Sequence, residues 1–372
     1  MFPHLTHTYG PGDPLSARRR GENRWSRRRR RCSDDQVQRQ TPTVVDRGTY
    51  RDAVTPWEQQ EWRRAALDWI REGLAARGLR VTAERWRVRL RPWSVLVRIE
   101  VTDGADVRSV WFKANPPGSA FEGALTAALA RRVPEHVLEP LAVDAGRGWS
   151  LLPHGGELFR DALERGAADI RAWEEALRQY ASMQRALLPY VDELGRLGVP
   201  DARAAALPGI FDAAVAANTA LEPEDRTRLH ALRPRLLDWC AELAATGVPD
   251  SLDHCDLHDG QLLRPAPGRF TFFDWGDANL SHPFCSFTVP ARRVRERYGP
   301  QALPRLRDAY LEPWTGDGRT LPGLRRALTL ATRLGALAPT RAWTRLFPGT
   351  HLPAGDAACA EWLRGLWSAE RP

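Results

Sequence analysis

Three short apolar alternations sit back to back between Trp86 and Lys113, while the chain beyond about residue 166 has almost none, and this segregation limits what the sequence can fold into. The alternations are Trp86, Val88, Leu90, then Val95, Val97, Ile99, Val101, then the run Val107 to Lys113 past an Asp103-Gly104 turn. Side chains of a strand point to opposite faces in turn, so a period of two marks half-buried strands, and an Asp-Gly turn joins them as an antiparallel hairpin. Val137 to Val143 and Trp149 to Leu152 add two short strand candidates. A helix is expected before the strands, where Thr55-Pro56-Trp57-Glu58 reads as a capping box with proline in the first turn, and Trp62, Ala66, Trp69, Ile70 and Leu74 recur at helical spacing up to Gly78. A second begins at Ser119, with Phe121, Ala124, Leu125, Ala128 and Leu129 on one stripe, and stops at Pro134.

Further on the periodicity predicts helices near residues 170–188, 201–221, 224–245, 301–311 and 324–334. Strands followed by helices argue for an α+β chain of two lobes. Residues 55–154 form a small antiparallel-sheet N-lobe and residues 155–372 a larger, mainly helical C-lobe, with Pro153-His154-Gly155-Gly156 as the connector. The 372 residues, 43% of them hydrophobic and 15 of them Trp, suffice for two cores.

Composition narrows the function classes. No run of eighteen apolar residues and no signal-peptide pattern occurs, so the expected location is cytoplasmic, with no membrane partner. Cys32, Cys240, Cys255, Cys285 and Cys359 are scattered without the C-x-x-C spacing of a zinc or redox site. The net charge of +8 suggests nucleic acid, but residues 1–50 hold eleven Arg against five Asp and Glu, which is +6 of that total. Residues 1–54, rich in Pro, Gly, Ser and Arg, read as a disordered tail. Any nucleic-acid role is confined to that arm, and a solvated tail is the favoured reading.

One segment interrupts the helical half. From Ser251 to Ser286 the chain is polar at first, strand-like at Phe270 to Phe273, and dense in Asp and His. Within Asp253-His254-Cys255-Asp256-Leu257-His258-Asp259-Gly260-Gln261, an Asp follows a His by two and precedes an amide by five. Eighteen residues after Asp256, the apolar run ends in Asp274-Trp275-Gly276-Asp277. A loop delivering a carboxylate and an amide, followed by a strand delivering a second carboxylate, suits phosphoryl transfer. One carboxylate aligns the attacking hydroxyl while the other and the amide hold magnesium against nucleotide phosphates. In the other lobe, Lys113 ends a strand and Glu122 follows nine residues later. Of 54 basic residues Lys113 is the only lysine. A compact ammonium and a planar guanidinium are not equivalent at a tight phosphate site.

These motifs resemble the aminoglycoside phosphotransferase and choline kinase superfamily, whose members carry a His-x-Asp-x-x-x-x-Asn loop and a later Asp-Trp-Gly-Asp type segment. The ordered match runs from about Trp86 to Ser286. The resemblance implies a two-lobed protein-kinase-like fold using ATP and Mg2+. It places Asp256 as catalytic base, His254 as the residue ordering its loop, Asp274 as main metal ligand and Gln261 as second metal ligand. Lys113 holds phosphates, Glu122 orients it, Ser94 in the turn Arg91-Pro92-Trp93-Ser94 contacts nucleotide, and the Leu151-Leu152-Pro153 connector offers its backbone to adenine. Two departures stand out: Gln261 where the family has Asn, and no G-x-G-x-x-G loop before Lys113.

Plainer readings stand beside these. Glu122 follows Ser119 by three and could complete a capping box. His254, Asp256, His258 and Asp259 also resemble a metallohydrolase fragment, though only His282 and His351 follow as further histidine ligands. Asp277 and His282 read as loop-stabilising residues. The expected activity is ATP-dependent transfer of the γ-phosphoryl group to a hydroxyl of a small molecule, aminoglycoside-like, sugar or amino alcohol. The alternative is a catalytically impaired nucleotide-binding regulatory module of the same fold, with Gln261 as its motive. Acceptor identity and oligomeric state are not encoded in any motif.

Overall fold

In the computed structural model, which describes residues 44–82 and 86–367, the alternating region forms one antiparallel sheet. Its strands are β1 (Arg80–Val81), β2 (Arg87–Arg91), β3 (Ser94–Thr102), β4 (Val107–Ala114), β5 (Ala142–Asp144) and β6 (Trp149–Pro153). They run in the order β1-β3-β4-β6-β5, and β2 pairs with β3 further along the same edge as β1. Val95, Val97, Ile99 and Val101 of β3 and Val110, Phe112 and Ala114 of β4 are buried with Ala66, Ile70 and Leu74 of the Gln60–Ala75 helix. Alternation then sends Leu96, Trp111, Lys113 and Leu152 to the other face, where they line a large cavity.

Local chemistry shifts several expected boundaries. Pro56–Glu58 is a separate 3-10 turn, because Gln59 is extended and the α-helix starts only at Gln60. Thr55 Oγ1 does donate to Glu58 at 3.2 Å, but that carboxylate is also held by Arg47 at 2.6 Å. The strand expected over 137–143 is limited to β5, since Pro140 lacks a ladder donor and Val137 joins the larger core instead. The expected connector Leu151-Leu152-Pro153 is strand, with Leu152 opposite Trp111, and the chain leaves the sheet only after Pro153.

The described part of the expected tail, residues 44–54, is packed. Asp46 donates its N–H to Leu90 O at 3.0 Å and pairs with Arg91, and Tyr50 stacks on Trp343 with ring centroids 4.0 Å apart. Trp93, in the two-residue turn between β2 and β3, meets Tyr50 and Trp343 edge-on at 5.7 and 5.9 Å. Local composition could not show this, because the covering aromatics lie some three hundred residues away in the chain. The rest of the expected tail, residues 1–43, lies outside the described residues.

The larger core gathers Trp173, Leu177 and Tyr180 of the Ile170–Ala186 helix with residues from the helices after it. Phe121, Leu125 and Leu129 of the Phe121–Arg132 helix also belong to it, so that helix bears on both lobes. Within this half two hairpins are nested. β7 (Ser251–Asp253) pairs with β10 (Asn279–Ser281), and between them β8 (Leu262–Ala266) pairs with β9 (Arg269–Phe272). Loops 254–261 and 273–278 are thereby set side by side. Helices Thr288–Tyr298 and Pro353–Arg364 were not anticipated. Among the described residues no helix is long and apolar enough to cross a membrane.

If residues 44–54 are structural, Tyr50→Ala loses about 2 to 3 kcal/mol of stability in urea denaturation, from lost burial and ring contacts. A solvated tail position would change it by less than about 0.5 kcal/mol.

Candidate active site

The outer hairpin makes the platform. Asp253, at the end of β7, accepts the Cys255 N–H at 2.9 Å and the Ser286 hydroxyl at 2.6 Å, and Tyr180 Oη accepts the His254 N–H at 3.1 Å. With its backbone so held, the loop tolerates Cys255 at φ +61° and a tight turn in which Asp256 N–H reaches His254 O at 2.8 Å. His254 is buried, which lowers its pKa and keeps the ring neutral, and Nε2 donates to Phe273 O at 2.9 Å. The predicted loop-ordering histidine thus ties the first loop to the backbone just before Asp274.

Asp274 sits at φ +67°, a left-handed conformation uncommon outside glycine. It meets two groups forecast from sequence, Lys113 and Gln261, and a third, Glu122, through Lys113. Lys113 Nζ donates to Asp274 and, at 2.7 Å, to Glu122, while Gln261 Nε2 donates to Asp274 Oδ2 at 3.0 Å. Gln261 Nε2 is also 3.5 Å from Asp256 Oδ2, so the amide spans both carboxylates. Burial by itself lowers the Lys113 pKa, but the charges of Asp274 and Glu122 outweigh it and hold the ammonium above its usual range. Burial raises Glu122 against the pull of Lys113.

Glu122 is not a capping-box partner. Ser119 Oγ donates to Gly276 O at 2.9 Å, while Glu122 accepts from Asn115 Nδ2 at 2.6 Å and from Trp275 N–H at 3.0 Å. One carboxylate therefore orients both the lysine and the turn that follows Asp274. Ser94 is buried with its hydroxyl lacking a hydrogen-bond partner, and it lines a small hollow with Lys113, Asn115, Ser119 and Asp274. Leu152 lines the larger cavity, of about 580 Å³, which ends at Lys113 and Asp274.

Around these, Arg160 was not read from sequence, and several other residues hold contacts that spacing could not show. His258 Nδ1 accepts from Gly260 N–H at 2.9 Å and faces Arg160 Nη2 at 3.1 Å, which places the ring proton on Nε2, 3.5 Å from Asp256 Oδ2. Arg160 is held in turn by Asp259 at 3.1 Å. With Nδ1 occupied by donors and the proton on Nε2, His258 lies beside Asp256 and is not poised as a metal ligand. Asp277, expected as a loop residue, faces Arg345 at 3.4 Å. His282 accepts Phe284 N–H at 3.3 Å, and burial takes its pKa down to about 3.

A bound magnesium ion typically takes one or two carboxylates and fills its remaining positions with water and phosphate oxygens. Asp274 and the amide oxygen of Gln261 supply such a set, provided the amide turns its oxygen toward the ion. The residues therefore fit the ion, with Gln261 reaching from one methylene further out than Asn would. Asp256 is pushed well above the usual carboxylate range, first by burial and then by the charges of Asp277 and Asp274, with Gln261 and Arg292 opposing.

A family model described as phosphotransferase enzyme family matches residues 70–325. Among solved structures, a macrolide 2'-phosphotransferase from Brachybacterium faecium is 19% identical, with 82% of this chain and 100% of that chain covered and a TM-score of 0.53. An ethanolamine kinase from Plasmodium vivax is 10% identical over 77% of this chain and 82% of its own, with a TM-score of 0.54. The GDP complex of an aminoglycoside 2'-phosphotransferase is 13% identical over 82% and 98%, with a TM-score of 0.50. No curated relative matches the sequence. The likeness shows the fold, an α+β two-lobed protein-kinase-like architecture.

A carboxyl whose folded pKa is raised favours folding below its unfolded value of about 3.9 and loses that contribution as pH rises through the folded value. Asp256→Asn should therefore stabilise the protein at pH 7.5, by on the order of 1 kcal/mol, and give no gain near pH 3.5 where both states are protonated. Urea midpoints at the two pH values check this, and equal midpoints at pH 7.5 would contradict it.

Proposed function

The chain belongs to the phosphotransferase enzyme family, and from that premise we propose that it moves the γ-phosphoryl group of ATP to a hydroxyl of a small molecule. The observation that carries this reading is the contact set Glu122–Lys113–Asp274–Gln261–Asp256, which lies where the 580 Å³ cavity ends. The cavity is large enough for a nucleoside and mostly apolar in its lining. Leu96, Leu152 and Phe272 would flank the base, and the backbone near Leu152 would supply its hydrogen bonds.

Lys113 and Ser94 would hold the phosphates, with Glu122 fixing the ammonium from behind. Magnesium, held by Asp274 and Gln261, would supply charge neutralisation on the phosphate oxygens. Asp256 aligns the acceptor hydroxyl. As the acceptor oxygen bonds to the γ-phosphorus, the bond from that phosphorus to the bridging oxygen breaks, ADP leaves with the electron pair, and the hydroxyl proton passes to Asp256. His258, held by Arg160, lies beside the receiving carboxylate. A nucleotide-using enzyme with free thiols at Cys240, Cys255, Cys285 and Cys359 suits a reducing compartment, the cytoplasm.

In transfer assays with labelled ATP, Asp256→Asn should lower kcat by about 10²- to 10⁴-fold while ATP affinity changes little, the pattern of a lost proton acceptor. Gln261→Asn should keep or raise the rate, and removal of residues 1–43 should leave transfer unchanged. ATP binding with no magnesium-dependent turnover in any of these proteins would favour the nucleotide-binding regulatory module instead.

A further inference from the structure

Asp256 faces a second hollow that shares no lining residue with the large cavity. It holds about 50 Å³ and is closed by Trp343 and Trp362, from a C-terminal stretch that lies beyond the matched residues 70–325. A hydroxyl can reach Asp256 from here without crossing the nucleotide cavity, so this is the acceptor side.

The charges around that hollow are unbalanced. Arg292, Arg341 and Arg345 line it, and the only carboxylates there are Asp256 and Asp277. Asp277 is engaged by Arg345 at 3.4 Å, and Asp256 is assigned to the reacting hydroxyl. Arg341 is half-buried and donates to two neutral acceptors, Asp201 O at 2.8 Å and Asn279 Oδ1 at 3.3 Å. Among the described residues no carboxylate lies within ion-pair distance of it; burial and its neighbour Arg345 disfavour its charge, and the more distant Asp201 favours it. A guanidinium fixed by neutral groups beside a like charge is suited to receive an anion. Conversely, no carboxylate is left over to receive a substrate ammonium.

We propose that the acceptor is a compact hydroxyl compound bearing an anionic group, a carboxylate or a phosphate, which Arg341 binds while the hydroxyl meets Asp256. This rests on the phosphotransferase reading above and narrows it: multiply charged amino sugars and quaternary amino alcohols are disfavoured by charge.

A matched panel tests it. D-glycerate and glycerol 3-phosphate carry the two anionic groups, glycerol is their neutral counterpart, and choline and kanamycin are cationic. Binding is measured by calorimetry, apart from turnover, on the wild type, Arg341→Gln and Arg341→Lys, with urea midpoints confirming that each is folded. At least one anion should bind the wild type and exceed glycerol, weaken by about tenfold or more in Arg341→Gln, and recover partly in Arg341→Lys. With labelled ATP and magnesium, label should pass to that anion and to neither cation. The inference is overturned if neither anion binds, if Arg341→Gln binds them as tightly, or if choline or kanamycin is phosphorylated. Arg341-dependent anion binding by a protein that neither binds nor turns over ATP would sink the kinase reading and leave the anion site standing.

Discussion

Much of this architecture depends on one buried ammonium. Lys113, at the end of a central strand, joins Glu122 of the following helix to Asp274 of a loop far along the chain. Three parts of the fold therefore share one charge. Removing a partner from such a site is expensive, on the order of 3 to 5 kcal/mol, because the remaining charges stay buried. The geometry also calls for a small head group. A guanidinium is planar and wide, whereas the Lys113 ammonium is a compact charge that reaches Glu122 and Asp274 from one atom.

Around that contact, the nested hairpins turn a linear motif into a site. Pairing Asp253 with Asn279 across β7 and β10 brings the two chemical loops to the same edge, and the inner hairpin fixes how far apart they emerge. His254 then bonds one loop to the other, and Glu122 reaches over to hold the Trp275 N–H. The strained φ angles at Cys255 and Asp274 lie in this region, where surrounding hydrogen bonds impose them. Trp93 adds a constraint at the far end, pinning the short β2–β3 turn to Tyr50 and Trp343. That turn contains no glycine and is held by aromatic packing.

Sequence periodicity revealed the parts of the fold whose signal is local. β2, β3, β4 and the long helices follow from alternation and helical stripes. The lone lysine and the Asp256/Gln261/Asp274 spacing pointed to groups that do meet. What escaped notice depended on distant partners. Residues 44–54 pack because Trp343 and Leu352 cover them, and Arg160 orients His258 from a helix about a hundred residues earlier. Arg341, Arg345, Trp343 and Trp362 had no motif at all, since a pocket wall is defined by what it encloses and not by spacing. His258 was visible in the sequence, but its role could be read only from the donors at its Nδ1.

On the proposed function, Lys113 and Asp274 hold nucleotide phosphates through shape as well as charge. The most direct test is a calorimetric titration of ATP, with and without magnesium, into the wild type and Lys113→Arg. Magnesium-dependent binding by the wild type and its loss, by about tenfold or more, in the variant that keeps the positive charge would agree with the account. Equal binding by both proteins, or no binding of ATP by the wild type, would contradict it.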